Sequence, residues 1–575
     1  MYKAVYEIWK KGVSASERAE LDAIADNDLE IKERFAVELQ FGTAGMRGTV
    51  GLGTNRINIY SVRRATAGLA EYIVSLNAEA KGVVIAYDTR RFSREFAKVV
   101  AEVLGGYSIK AYLFEDVRPV PICSFAIRHL GAAAGVMITA SHNPKEYNGY
   151  KVYGADGAQM SPEATAEVVK YIKEKKDYFS LPRLEIKEDF KGLDNYPLNE
   201  FVTVIGSAVD QVYYNTIQKL SLSPEVTARL GKSIKLVYTP VHGSGYIPVT
   251  TIFERIGISA HIVEEQAHPD TEFSTVIAPN PENTDTLRLG IAKGNEIGAD
   301  VVLATDPDCD RLGAAVRSAG GEFILLTGNQ IAVLLLDYIC LRLKERGELP
   351  KNGAIIKSFV TTTLADRLAE SYGIKVFNVP TGFKFIGEKI KEWEQSGEYE
   401  YIFGFEESYG SLRGTHARDK DAVVASMLFA EMFLHHASKG QSVLGRLNQI
   451  FEEFGYYAEN NIALEYKGLN GMAVMAGVMS ALRKKTIAEF AEEKVVSTTD
   501  YKYGIVKYPS GEAGTTDLSP SDTLYFTLED KQFVCIRPSG TEPKLKIYVL
   551  VYSDSEKNAS EKAERIMNAA KMELK

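Results

Sequence analysis

Three aspartates occupy alternate positions in "ATDPDCDRLG", directly after the apolar run "VVL". In a regular strand every second side chain shares a face, so Asp306, Asp308 and Asp310 would converge. Three like charges that close are unfavourable without a cation, and an all-oxygen set suits Mg²⁺. The spacing is not that of an EF-hand, because Arg311 stands where glycine is needed and Arg317 where the bidentate glutamate is needed. The plain alternative is a solvated acidic turn. The apolar run before it and Arg311 behind it weigh against that.

Other loops have the composition of anion sites. "CIRPSGTEPKLK" offers the planar fork of Arg537, the hydroxyls of Ser539 and Thr541, and Gly540, where backbone N–H groups can approach a phosphate; Lys544 and Lys546 add charge. "FGTAGMRG" carries Gly42, Thr43, Gly45 and Arg47. "GFEESYG" places Glu406, Glu407 and Ser408 where carboxylates and a hydroxyl would meet sugar hydroxyls, or would cap a helix. "THARDKD" contributes His416, Arg418 and Lys420, a cationic group that meets a phosphate or is simply solvated. Pro-Ser-Gly is also ordinary turn chemistry.

"ITASHNPKEYNGYK" puts Ser141, His142 and Asn143 where a β-type run gives out. The turn reading competes with a reactive hydroxyl. A Ser-His-Asp hydrolase is disfavoured, because Ser141 and His142 are adjacent and there is no GxSxG elbow. A serine beside a metal loop and several phosphate loops fits phosphoryl transfer, with the phosphate carried on the hydroxyl.

These loops need a scaffold that presents them together. Six segments share one design, a short apolar run followed at once by a polar loop: "GVVIAYDTRRFS", "AAGVMITASHNP", "SIKLVYTPVHGSG", "ADVVLATDPDCDR", "GAIIKSFVTTT" and "YEYIFGFEESYG". Continuous apolar runs suit strands buried on both faces, and helical patterns such as "SREFAKVVAEVLGGY" lie between them, so the fold class is α/β with loops gathered at strand carboxyl ends. The runs pair near residues 85 and 138, 237 and 303, and 356 and 403, which implies three similar mixed α/β domains. "KQFVCIRPSGTEPKLKIYVLVY" and the charged helix after it imply a smaller C-terminal α+β domain, in which the acidic 483–500 stretch reads as surface with a Thr-Thr turn. The expected boundaries are 1–205, 206–323, 324–452 and 453–575.

A chain of 575 residues exceeds what one core usually supports. Its 45% hydrophobic and 25% charged content is that of a globular protein. A net charge of −9 argues against nonspecific nucleic-acid binding. Cys123, Cys309, Cys340 and Cys535 are scattered without a CxxC pair, so neither a disulfide framework nor a zinc site is expected. The N-terminus lacks a signal-peptide core, and "IAVLLLDYICL" is too short to span a bilayer. The expectation is a cytoplasmic protein without membrane or nucleic-acid partners.

Taken together, and in the same order from "FGTAGMRG" to "RPSGTEPKLKIY", the motifs closely resemble the α-D-phosphohexomutase superfamily, in particular its phosphoglucomutase and phosphopentomutase branch. The resemblance implies four domains around a central active-site cleft. It implies a phosphate on Ser141, and Mg²⁺ held by Ser141, Asp306, Asp308 and Asp310, although Pro307 and Cys309 replace the small residues usual in that loop. The catalytic set is Ser141, His142 and Lys151, the last as general acid/base. Substrate-binding positions are Thr43, Arg47, Asp310, Arg311, Thr381, Gly382, Lys384, Glu406, Ser408 and Lys420, with Thr381, Gly382 and Lys384 in the loop "VPTGFKFIG". Arg537, Ser539, Gly540 and Thr541 would grip the phosphate that is not transferred. The implied reaction converts glucose 1-phosphate to glucose 6-phosphate through glucose 1,6-bisphosphate, by a monomer or dimer. Phosphomannose or phosphopentose substrates stay open, since "GFEESYG" and "VPTGFKFIG" also resemble phosphopentomutases. Two rivals are an aspartyl-phosphate phosphatase with Asp306 as nucleophile and an inactive sugar-phosphate-binding scaffold.

Overall fold

The run "GVVIAY" lacks the polar alternation of a half-exposed strand, and Val83–Tyr87 is buried at all five positions. In this computed structural model, which describes residues 1–42, 45–466, 470–518, 520–539 and 544–574, that strand lies near the middle of a seven-stranded sheet. Its parallel neighbours are Ala111–Phe114 and Ala134–Ile138. Helices Ser93–Gly106 and Val120–Leu130 pack on these strands. The strand Tyr147–Gly154 runs antiparallel to Ala134–Ile138 and sets Lys151 opposite Met137. The loop between these two strands carries Ser141.

A second sheet is centred on Val301–Thr305, again buried throughout. It is parallel to Leu236–Thr239 and antiparallel to Leu312–Arg317. The aspartate loop is therefore the connection of an antiparallel pair, with Thr305 opposite Leu312. Both sheets belong to one compact unit, Met1–Ile331 with Gly387–Gly397 and Ser408–Gly440. The same unit includes three N-terminal helices, Tyr2–Gly12, Ala15–Asp22 and Asp28–Phe35, which gather around the buried Trp9.

The other unit is Ala332–Ile386, Glu398–Glu407 and Gln441–Lys575. Its strands Gly353–Ser358, Lys375–Val379 and Glu400–Phe405 are parallel, with Gly353–Ser358 between the other two. Its C-terminal sheet places Tyr456–Glu465, Lys544–Ser553, Phe533–Pro538, Leu524–Leu528 and Glu493–Asp500 in that order. Helix Glu556–Glu573 buries Ala563, Ile566 and Met567 in the core of that sheet. The 483–500 expectation needs correcting. Thr498 and Thr499 are not a turn but lie inside the strand Glu493–Asp500, which fits the strand propensity of threonine. All three strand pairs read from the sequence are present as parallel neighbours. Among the described residues, no helix is long and apolar enough to cross a membrane.

Candidate active site

Asp306, Asp308 and Asp310 converge, but strand alternation is not the cause. The strand ends at Thr305, and residues 306–311 form a turn in which Cys309 takes φ +51°. One carboxylate oxygen from each aspartate lies within 4.8 Å of the others. The turn is held by its main chain. Ser244 donates both its N–H and its hydroxyl to Pro307 O at 2.8 Å, and Val120 N donates to Asp308 O at 2.9 Å. Gly243 is what permits this approach, because a Cβ there would stand 2.6 Å from Pro307 Cα. That accounts for the glycine of "PVHGSG".

Ser141 reaches this cluster from the neighbouring sheet. Its Oγ donates to Asp306 Oδ2 at 2.9 Å and lies 3.1 Å from His142 Nδ1. Its backbone is left-handed, φ +52°, and its N–H donates to Thr139 Oγ1 at 2.8 Å. Thr139 Oγ1 in turn donates to Asp308 Oδ2 at 3.2 Å. Asp306 Oδ1 accepts the backbone N–H groups of Asp310 and Arg311, both at 3.0 Å. Lys151 Nζ lies 2.8 Å from Asp308 Oδ2 and 3.7 Å from Asp310 Oδ2. Lys420 Nζ lies 3.1 Å from Asp310 Oδ2 and 3.0 Å from Asp419 Oδ1.

The charges follow from this packing. Burial, with Asp308 and Asp310 close by, pushes the Asp306 carboxyl well above the usual carboxylate range. Burial acts on Asp308 too, but Lys151 and Lys420 outweigh it and hold that carboxyl below the range. Burial and Asp308 raise Asp310. Burial disfavours the Lys151 ammonium, yet Asp308 and Asp310 more than restore its charge. Two buried oxygens, Asp308 Oδ1 and Asp310 Oδ1, make no hydrogen bond among the described residues. A buried carboxylate group with spare oxygens and two lysines to offset it fits a hard divalent cation.

The remaining expected residues are distributed as follows. Arg47, on the strand Gly45–Thr49, donates to Asn143 Oδ1 at 3.0 Å, beside the serine loop. Arg311 has its Nη1 2.6 Å from Glu282 Oε1 and is largely covered. Ser408 is half-buried in the same unit. In the other unit, Glu406 Oε1 accepts the N–H of Gly382 at 2.8 Å, Thr381 Oγ1 is buried with no hydrogen bond among the described residues, and Lys384 Nζ lies over the Phe385 ring at 4.9 Å. Arg537 is half-buried on the strand Phe533–Pro538, and Ser539 N donates to Lys544 O at 2.7 Å. Thr43, Gly540 and Thr541 lie outside the described residues. The cationic "THARDKD" group is not a solvated patch. Arg418 is 1% exposed and paired with Glu394, while His416 Nε2 meets Asp421 Oδ2 at 2.8 Å. Of its cations, Lys420 alone is found at the aspartates.

Residues 38–179, 211–320, 327–454 and 478–567 match, in order, the three alpha/beta/alpha domains and the C-terminal domain of phosphoglucomutase/phosphomannomutase. The chain belongs to this family. A phosphoglucomutase of Staphylococcus epidermidis is 35% identical over 528 residues, 91% of this chain and 93% of that protein. Two solved structures share the family fold at 18% identity. Parafusin (phosphoglucomutase) from Paramecium superposes with a TM-score of 0.66, covering 94% of this chain and 95% of its own. A phosphoglucomutase/phosphomannomutase family protein from Burkholderia thailandensis has a TM-score of 0.65, covering 93% and 97%.

Sequence reasoning named neither Arg90 nor Asp419 nor Ser244. Asp419 sits in the quoted "THARDKD". It accepts Tyr153 OH and Gln159 Nε2, each at 3.0 Å, while its other oxygen orients Lys420. The signal available was its place between two cations. The last glycine of "GFEESYG" also has a role that no turn rule supplies. A Cβ on Gly410 would stand 2.0 Å from Lys420 Cδ. Gly410→Ala is therefore expected to push the Lys420 stem aside and part its ammonium from Asp310. The flexible stem can yield, so thermal stability should change little while kcat/KM falls about tenfold or more, the worth of a charged hydrogen bond. Melting curves beside steady-state kinetics check this.

Proposed function

We propose that this chain is a phosphoglucomutase, interconverting glucose 1-phosphate and glucose 6-phosphate through a phosphoserine at Ser141. The observation that carries the reading is the Ser141 hydroxyl hydrogen-bonded to the first of three converging carboxylates, in a chain 35% identical to a phosphoglucomutase. In the first half-reaction the bond between phosphorus and Ser141 Oγ breaks as a bond to the sugar 6-hydroxyl oxygen forms. The attacking hydroxyl loses a proton and Ser141 Oγ gains one. Lys151, with its charge reinforced by Asp308 and Asp310, is assigned as the general acid/base that gives Ser141 Oγ its proton and takes up the one released by the sugar hydroxyl. The glucose 1,6-bisphosphate formed turns over, and Ser141 Oγ takes the 1-phosphoryl group in the second half-reaction. His142 and Arg47 orient the serine loop and its phosphate.

Asp306, Asp308, Asp310 and Ser141 would hold Mg²⁺, which supplies positive charge against the phosphoryl oxygens. Glu406, with Gly382 fixing its carboxylate, is assigned to sugar hydroxyls together with Thr381, Lys384 and Ser408. Lys420 and Arg311 supply cationic charge near Asp310. Four free, buried cysteines fit a reducing, cytoplasmic compartment. The phosphatase alternative asks Asp306 to act as a charged nucleophile, whereas both its oxygens accept hydrogen bonds and burial beside Asp308 and Asp310 pushes its carboxyl well above the usual range.

The test is peptide mapping of the purified protein for a phosphate on Ser141, with mutase assays on glucose, mannose and pentose 1-phosphates. Turnover restricted to a pentose or mannose phosphate would replace the sugar and keep the mechanism. A hydroxylamine-sensitive phosphate on Asp306 would overturn it.

Arg537 is assigned to the phosphate that is not transferred. Charge-assisted hydrogen bonds contribute about 1.5–3 kcal/mol each, so Arg537→Ala is expected to lower kcat/KM about tenfold to a hundredfold. Arg537→Lys should restore only part, since a point charge cannot reproduce the fork. Phosphorylation of Ser141 should persist in both variants. Steady-state kinetics with glucose 1-phosphate and intact mass check this.

A further inference from the structure

Arg90 lies three residues beyond the central strand Val83–Tyr87 and is 3% exposed. Its four terminal N–H hydrogens are matched by four main-chain carbonyls, three on the loop that carries Ser141 and one on Tyr147, the first residue of the strand that follows it. Nη2 donates to Ser141 O at 2.6 Å and to Asn143 O, and Nη1 donates to Pro144 O at 2.9 Å and Tyr147 O at 3.1 Å. Nε lies 3.4 Å from Asp88 Oδ2. One face of the guanidinium rests on the Phe273 ring, 5.2 Å from its centroid. The far end of the loop is tied to the same stretch, because Asn148 Nδ2 donates to Arg91 O at 2.9 Å and Ser93 Oγ at 3.0 Å.

This arrangement answers a specific mechanical need. Ser141 holds a left-handed φ of +52°, which a non-glycine residue keeps only when its surroundings over-determine it. Arg90 grips the carbonyl of Ser141 itself and three that follow it. A planar fork with separate nitrogens can do this; a lysine has one nitrogen and three hydrogens and cannot span the loop.

We propose that Arg90 is a positioning residue for phosphoryl transfer: by clamping the main chain of residues 141–147 it sets where Ser141 Oγ stands relative to the aspartates and the acceptor hydroxyl. Phe273, from the segment following the second sheet's edge strand Ala260–Ile262, holds the clamp flat. The inference rests on the phosphoserine reading above. With its four terminal N–H hydrogens taken by carbonyls, Arg90 has none of them left for phosphate or sugar, so its loss acts on the transfer step and not on substrate affinity. A displacement of about 1 Å costs on the order of a hundredfold in rate.

The experiment compares full-length wild type, Arg90→Lys and Phe273→Leu, each first phosphorylated with glucose 1,6-bisphosphate. Rapid-quench transfer to glucose 1-phosphate in Mg²⁺ is measured beside steady-state kinetics and release of phosphate to water. The expected result is a transfer rate about a hundredfold lower in Arg90→Lys and about threefold to tenfold lower in Phe273→Leu. KM should stay within about threefold, and the share of phosphate lost to water should rise, because a mispositioned phosphoserine keeps its ester but loses its alignment with the sugar. A kcat within twofold of wild type in Arg90→Lys overturns the proposal, as does a KM that rises in step with the fall in kcat. If Arg90→Lys fails to fold, Phe273→Leu decides, and an unchanged transfer rate there overturns the proposal. Wild type that carries no phosphate on Ser141 and shows no mutase turnover would instead overturn the functional reading, and this inference with it.

Discussion

Ser141→Ala is expected to lose mutase turnover by on the order of 10⁴-fold or more, the scale seen when a covalent nucleophile is removed. The variant should also show no phosphoryl group by intact mass, even after incubation with glucose 1,6-bisphosphate. The fold should survive. Ser141 sits on a loop, and the hydrogen bond it loses, to Asp306 Oδ2, is worth roughly 1 kcal/mol. Asp306 keeps its two backbone N–H donors on the other oxygen. A melting temperature within a few degrees of wild type, with activity gone, separates a chemical role from a structural one. Turnover near wild type would show that the phosphate travels by another residue.

Removing the divalent cation is expected to have the next largest effect. Three buried carboxylates face one another, and two of their oxygens have no hydrogen bond among the described residues. Lys151 and Lys420 offset part of that charge but belong to the protein, and each already leans on an aspartate. An excess of chelator should lower kcat about a thousandfold, taking several kcal/mol of charge stabilisation at about 1.4 kcal/mol per decade, and added Mg²⁺ should restore it. Asp308→Asn should weaken the apparent Mg²⁺ affinity about tenfold or more, because it removes one hard ligand charge and also frees Lys151 from its nearest carboxylate. Activity titrated against free Mg²⁺ in wild type and Asp308→Asn tests both parts. Full turnover in excess chelator would refute the cation site.

Much of this protein was legible in the linear chain because its information is local. Val83–Tyr87, Ala134–Ile138 and Val301–Thr305 are buried at every position, and a run of nearly all apolar or small residues is readable without knowing its neighbours. The polar loop after each such run marks a strand's carboxyl end, so Ser141 and the three aspartates stood out by position as well as type. Their convergence was also anticipated, although for the wrong reason. Alternation along a strand would have aligned them, but a turn with Cys309 at φ +51° does it, and the sequence carries no sign of that torsion because glycine, its usual marker, is absent from positions 306–311.

What only the tertiary structure decided concerns partners far apart in sequence. Arg90 holds carbonyls about 50 residues away, Lys420 settles on Asp310 while Arg418, two residues before it, is spent on Glu394, and Gly410 is needed for the room that Lys420 occupies. Arg418 and Lys420 look interchangeable in "THARDKD", because charge and residue type are properties of the letter. Which cation turns inward to a carboxylate and which is buried against a helix is set by the packing of segments that the letters do not order. The sequence by itself determined the class of chemistry and the scaffold that could host it; the folded chain alone assigned each charge its partner, since burial makes an unpaired charge too costly to leave and geometry allows only certain pairs to meet.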